Sequence, residues 1–202
     1  ASYGGSVITC ATLLSAIAGF FAPVSGTVLW QGRDLGATPP GDRPVSILFQ
    51  DQNLFPHLTV AQNLGLGLRR DLKLDQDGRD RVEAALARVG LEGLGGRKPA
   101  QLSGGQAGRA ALARALLRAR PLLLLDEPFA ALGPALKRDM LTLVADVADR
   151  TQATLLMVTH DPRDAREFAG QTVLVANGTA AAPVATEWLF ANPPAALTDY
   201  LG

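Results

Sequence analysis

Apolar positions along the chain fall into short unbroken runs and longer periodic stretches. Val45–Phe49, Leu122–Leu125 and Thr154–Thr159 are too short for typical helices and read as buried strands. Pro121 and Pro128 bracket the second of these. Thr27–Trp30, closed by Gln31-Gly32, and Thr172–Ala176, turned at Asn177-Gly178, add two β-rich segments. Asp75–Val89 places Val82, Leu86 and Val89 at i, i+4 and i+7, which predicts an amphipathic helix stopped by Gly90. A short buried helix is expected over Thr12–Ala18 with Gly19 at its end, and a weak helical pattern begins near Val60. Further helices are expected from Pro134 to about Arg150 and after Asp161-Pro162, with a short one near the end of the Ala- and Pro-rich tail. Strands alternating with helices predict an α/β layered fold with a largely parallel sheet.

Composition narrows the function. The 202 residues suit one domain, or one domain with a subdomain. Nineteen basic and nineteen acidic residues cancel, which argues against a strongly electrostatic nucleic-acid binder. The single cysteine, Cys10, excludes an internal disulfide and a Cys-rich zinc site and fits a reducing compartment. No charged side chain precedes Arg33, yet Ser6–Val24 lacks a basic leader and is diluted by Gly, Ser, Thr and Pro23. It therefore reads as neither a signal peptide nor a membrane span.

The chemistry concentrates between Gln101 and Leu132. Ser103 with Gln106 three residues later forms a capping box, and Gly104 and Gly105 leave helical N–H groups open to an anion. Asp126 and Glu127 emerge from the Leu122–Leu125 strand, at the end where such sheets hold ligands. Asp126 suits a magnesium shell, reached through water, and Glu127 suits polarising an attacking water. Gln50 and His160 end two other predicted strands. Gln50 suits contact with magnesium or water, and His160 suits a hydrogen bond to a γ-phosphate.

Together, LSGGQ and LLLLDE resemble the signature motif and Walker B strand of ATP-binding-cassette ATPases. The resemblance implies a RecA-like, P-loop NTPase core with a helical subdomain, using ATP and Mg2+. It assigns Gln50 as the Q-loop glutamine, Asp126 as the Walker B aspartate, Glu127 as the catalytic glutamate and His160 as the switch histidine. Ser103, Gly104, Gly105 and Gln106 would act in trans on ATP held by a second ATPase subunit. The implied layout is one domain: residues 1–49 as core, about 50–118 as Q-loop, helical subdomain and signature helix, and 119–202 as core again. The segment Phe49 to Thr59 resembles the surface that receives a membrane permease. RPVSILFQDQNLFPHLTVAQNLGLGL and PALKRDMLTLV look similar to the ATPase subunits of bacterial thiamine importers. That implies a cytoplasmic protein on the inner face of the bacterial plasma membrane, serving permease subunits and, indirectly, a periplasmic solute-binding protein. The stretch between Gln50 and Leu102 leaves no room for the long coiled-coil insertion of DNA-repair members.

Two departures limit the activity expected. The phosphate loop G-x-x-x-x-G-K-[ST] should end just before Thr12, but Thr9, Cys10 and Ala11 occupy the Gly, Lys and Ser/Thr positions. The Ser/Thr hydroxyl is missing unless Thr12 shifts to replace it. The D-loop aspartate is replaced by Gly133. Because the match begins abruptly at residues 11–14, the N-terminal strands are expected to be missing through truncation or a frame change. Hydrolysis by this chain is therefore expected to be impaired. The alternative is a non-catalytic cassette acting only as a docking subunit.

Overall fold

The computed structural model describes residues 6–49, 54–129 and 132–201, with side chains from residue 12 to residue 200 within those ranges. The chain divides into two compact units, residues 1–43 with 158–202 and residues 44–157. Gln50 and Ala131 lie outside the described residues, as do the side chains of Thr9, Cys10 and Ala11.

The first unit opens with α1, Ser6–Ala18, which is longer than the apolar pattern of Thr12–Ala18 predicts. Gly19 ends it at φ +89°, a backbone conformation that favours glycine. Arg43, 3% exposed, closes the same helix end. Its Nη1 donates to the carbonyls of Ala16 (2.9 Å) and Ile17 (2.7 Å), and its Nε to Thr38 O (2.9 Å). A buried cation at a helix C-terminus satisfies orphan carbonyls and meets the negative end of the helix dipole. A Cβ on Gly19 would lie 2.5 Å from Arg43 Nε, so the glycine and the arginine are one device. The hairpin β1 (Leu29–Trp30) and β2 (Arg33–Asp34) turns at Gln31 and Gly32, both at positive φ, as a tight two-residue turn requires.

The second unit carries the sheet and a helical cluster. β3 (Val45–Leu48) leads to α2 (Val60–Gly65) and α3 (Gln76–Arg88). Thr59 caps α2 with a capping box, and Asp75 Oδ1 caps α3 by accepting from Gly78 N (2.9 Å). A 3-10 turn at Pro99–Gln101 precedes α4 (Gly104–Leu117), followed by β4 (Leu122–Asp126), α5 (Pro134–Thr151) and β5 (Thr154–Val158). Strand order is β3-β4-β5, with β3 parallel to β4 in the register Val45↔Leu122 to Leu48↔Leu125. Leu122–Leu125 are all buried, as expected of a central strand covered on both faces. β5 differs from expectation: Thr154 is exposed and its other residues are half-buried, whereas β3, on the opposite side of β4, is mostly buried. Val60, Leu64, Val82, Leu86, Val89, Leu91, Ala110 and Ala113 make one apolar core between α2, α3 and α4. The predicted stripe of α3 is therefore the face that packs.

The remainder of the first unit holds α6 (Pro162–Phe168), the short pairs β6 (Gln171–Thr172) with β9 (Val184–Ala185) and β7 (Val175–Ala176) with β8 (Thr179–Ala180), then α7 (Thr186–Ala191) and α8 (Ala195–Leu201). The run read as one strand over Thr172–Ala176 is split, each half pairing with a different partner. The expected turn at Asn177-Gly178 is present, with φ of 51° and 75°.

Candidate functional site

The N-terminus of α4 forms as its capping box predicts. Ser103 Oγ accepts from Gln106 N at 3.3 Å, and Gln106 Oε1 accepts from Ser103 N at 2.9 Å. The two glycines differ. A Cβ at Gly104 would meet nothing within 4 Å among the described residues, so a side chain there has steric room. A Cβ at Gly105 would lie 3.2 Å from Leu132 Cδ2 and 3.5 Å from Leu136 Cδ2, so Gly105 lets α4 seat against the start of α5. Arg109 fixes the helix one turn further on. Its Nη1 donates to Val89 O (2.8 Å) and Gly90 O (3.3 Å), capping α3, while its Nε is buried without a partner among the described residues.

The carboxylates sit at the carboxyl end of β4. Asp126 is half-buried, and Glu127 follows at φ +43°, a left-handed conformation that costs a side-chain-bearing residue on the order of 1–3 kcal/mol. This places two carboxylates at the exit of the most buried strand. Burial pushes the Asp126 carboxyl above its ordinary value, and the charge of Glu127 adds to the rise. The folded chain therefore holds that proton more tightly than the unfolded chain does. Ionised Asp126 costs stability at neutral pH, and the cost fades as pH falls through the folded-state value. Asp126→Asn is expected to raise the melting temperature near neutral pH and to leave it unchanged at about pH 3, where the unperturbed group is protonated too. Melts at the two pH values, without magnesium, check this. Oxygen donors of this kind fit a magnesium ion that keeps most of its water. Among the described residues no cluster of three or more His, Cys, Asp and Glu side chains forms an all-protein metal cage.

His160 follows β5 and belongs to the other unit from the carboxylates. The turn that carries it is tied to α6. Thr159 Oγ1 donates to Asp164 Oδ2 (2.7 Å) and accepts from Asp161 N (3.0 Å), and Asp161 caps α6 at Arg163 N (3.0 Å). The Tyr200 hydroxyl donates to the His160 carbonyl. Within the phosphate-loop positions the backbone of Thr9–Thr12 is helical, part of α1, and Thr12 is exposed. Of the surface anticipated at Phe49 to Thr59, residues 50–53 lie outside the described chain. The rest is held by Asn63, which is fully buried. Its Oδ1 accepts from Phe55 N (2.7 Å), and its Nδ2 donates to the carbonyls of Phe55 (3.1 Å), Leu58 (3.3 Å) and Thr59 (2.9 Å). The Arg114 guanidinium stands 5.7 Å from the Phe55 ring, and Phe55 is 46% exposed. Sequence patterning singles out neither Asn63 nor Arg114. A polar residue between Val60 and Leu64 on a short apolar helix was the available signal.

The donor set thus fits a hydrated magnesium at Asp126 and an anion at the α4 N-terminus. It does not fit a phosphate cradle at Thr9–Thr12, where no lysine is available and the backbone is helical. No helix among the described residues is long and apolar enough to cross a membrane.

Comparison with known proteins agrees with these assignments of fold. A family profile described as ABC transporter matches residues 4–130. The chain is 68% identical over 191 residues to a thiamine import ATP-binding protein ThiQ of Cereibacter sphaeroides, covering 95% of this chain and 83% of that protein. It is 60% identical to the protein of the same name in Ruegeria sp., with the same two coverages. The corresponding Salmonella typhimurium protein is 54% identical over 167 residues, 83% of this chain and 71% of that one. Among solved structures, a dimeric ATP-binding cassette in a post-hydrolysis state bound to ADP and Pi superposes with a TM-score of 0.78. The two are 28% identical, over 88% of this chain and 80% of that one.

Proposed function

The chain belongs to the ABC transporter family, and from that premise we propose that it is the ATP-binding subunit of a bacterial importer, with thiamine as the solute. The observation that carries this reading is the N-terminus of α4, held by the Ser103–Gln106 capping box with steric room beside Gly104. A Cβ at Gly104 would meet nothing within 4 Å among the described residues, so a second subunit's nucleotide has room to come close to the start of α4. The ADP-bound relative being a dimer supports the same arrangement.

In this proposal Ser103, Gly104, Gly105 and Gln106 hydrogen-bond the γ-phosphate of ATP held by the partner ATPase subunit. Asp126 holds the magnesium shell, Glu127 polarises the attacking water, Gln50 reaches magnesium or that water, and His160 binds the γ-phosphate. Magnesium supplies charge neutralisation of the phosphates when bound. The positions Thr9, Cys10, Ala11 and Thr12 supply no cation for the β- and γ-phosphates, so this chain hydrolyses ATP poorly on its own. In a homodimer both sites share the defect. In a mixed dimer this chain's signature completes a partner's intact phosphate loop.

The second reading, a cassette that docks without catalysis, is favoured by the helical backbone through Thr9–Thr12. Both readings place the chain on the inner face of the plasma membrane, with Phe49 to Thr59 against the permease and the solute-binding protein beyond it. No nucleic-acid partner is proposed. Co-expression with the permease and solute-binding subunits of a bacterial thiamine importer is expected to yield a stable complex containing this chain. Intact permease recovered without it contradicts the importer reading.

A further inference from the structure

The first unit contains a closed circuit of contacts that begins and ends at His160. Asp161, the next residue, caps α6, and Thr159 beside it is bonded to the buried Asp164 of the same helix. From α6, the Arg166 guanidinium lies 4.3 Å from the Phe190 ring of α7. Asn192, Pro193 and Pro194 then turn the chain into α8, where Thr198 Oγ1 donates back to Pro194 O (3.3 Å). Leu197 anchors α8 in the core at 6% exposure. One turn later Tyr200 leaves its ring 59% exposed yet directs its hydroxyl to the His160 carbonyl. An exposed tyrosine has no need of that bond for its own solvation. What the bond does is fix a peptide plane forty residues away.

We propose that Tyr200 is a positioning residue for His160, with α8 acting as a C-terminal latch on the turn that carries the histidine. The α6 contacts constrain the turn from its downstream side through Thr159 and Asp161. The Tyr200 hydroxyl constrains the His160 peptide itself, leaving the imidazole with fewer orientations to sample. Release of α8 frees that peptide without unfolding α6, so the C-terminal helix tunes how well His160 is pre-set for its ligand. The catalytic meaning of the latch rests on the proposed role of His160 at the γ-phosphate; the latch itself does not.

The test uses the full chain. It has two histidines, His57 and His160, so each gives one Cε1–Hε1 cross-peak in a carbon–proton correlation spectrum, and His57 serves as internal control. Tyr200→Phe removes only the hydroxyl. It is expected to shift or broaden the His160 cross-peak, leave that of His57 in place, and speed exchange of the Asp161 amide by roughly two- to tenfold. Thr198→Ser keeps the hydroxyl that bonds Pro194 O and so keeps α8 seated, and is expected to leave both imidazole signals unchanged. An unmoved His160 signal in Tyr200→Phe overturns the latch, as does an equal change in Thr198→Ser. A His160 signal that responds to Tyr200→Phe but not to magnesium and ATP, in a chain given a working phosphate loop, overturns the switch role instead.

Discussion

Changing Thr9→Gly, Cys10→Lys and Ala11→Ser together is expected to turn a chain with background phosphate release into a magnesium-dependent ATPase. Gly4 already stands where the first glycine of G-x-x-x-x-G-K-[ST] belongs, so three substitutions complete the pattern. The lysine brings the missing charge to the β- and γ-phosphates, the glycine lets the backbone approach, and the serine returns a hydroxyl to magnesium. One such electrostatic contact contributes about 3–4 kcal/mol to transition-state stabilisation, so the triple variant should gain at least about 10³-fold in turnover. The glycine also works against helix at position 9, which lies inside α1, so the backbone is biased toward the loop the phosphates need. The single variant Cys10→Lys should gain part of the binding and less of the turnover. Fluorescent ATP titration and phosphate release measure the two separately. A triple variant indistinguishable from the unmodified chain would show that the defect lies elsewhere.

The second large effect concerns the half-site proposed at the N-terminus of α4. Mixed with a thiamine-import ATPase whose phosphate loop works but whose signature has been disabled, this chain should restore turnover at one composite site. Gly104→Arg in this chain is expected to reduce that turnover by at least about 10²-fold, because the arginine side chain fills the space in which the partner's nucleotide would meet the start of α4. The structure predicts that the variant still folds, because nothing among the described residues lies within 4 Å of a Cβ at Gly104. Its melting temperature should match that of the unmodified chain. Gly105→Arg is different, since its Cβ would already press on Leu132 and the longer side chain has Leu136 beside it, so stability should fall as well. Turnover retained in Gly104→Arg with an unchanged melt would remove the signature from the site.

What was legible in the sequence was local or strictly periodic. The Ser103–Gln106 capping box needs only four residues, and it formed as read. Leu122–Leu125 announced a covered strand because no polar residue interrupts it, and β4 is that strand. Val82, Leu86 and Val89 mark the packing face of α3 by their helical spacing. The failures are tertiary. Nothing in Thr154–Thr159 distinguishes a half-buried strand from a buried one, and the pairing that splits Thr172–Ala176 depends on partners further along the chain. The residues that hold the site in shape were silent for a related reason. Arg43 on the end of α1, Arg109 on the end of α3, Asn63 behind Phe55 and Tyr200 on His160 each bond main-chain groups. Main-chain carbonyls are present at every position, so no residue pattern reveals which of them needs a distant donor.

The central proposal is a family signature and two carboxylates, Asp126 and Glu127, without a working phosphate loop. It is tested most directly by phosphate release from the purified, unmodified chain incubated alone with magnesium and ATP. The account predicts release no faster than the same sample carrying Glu127→Gln. Robust magnesium-dependent turnover by the unmodified chain, lost on Glu127→Gln, would contradict it.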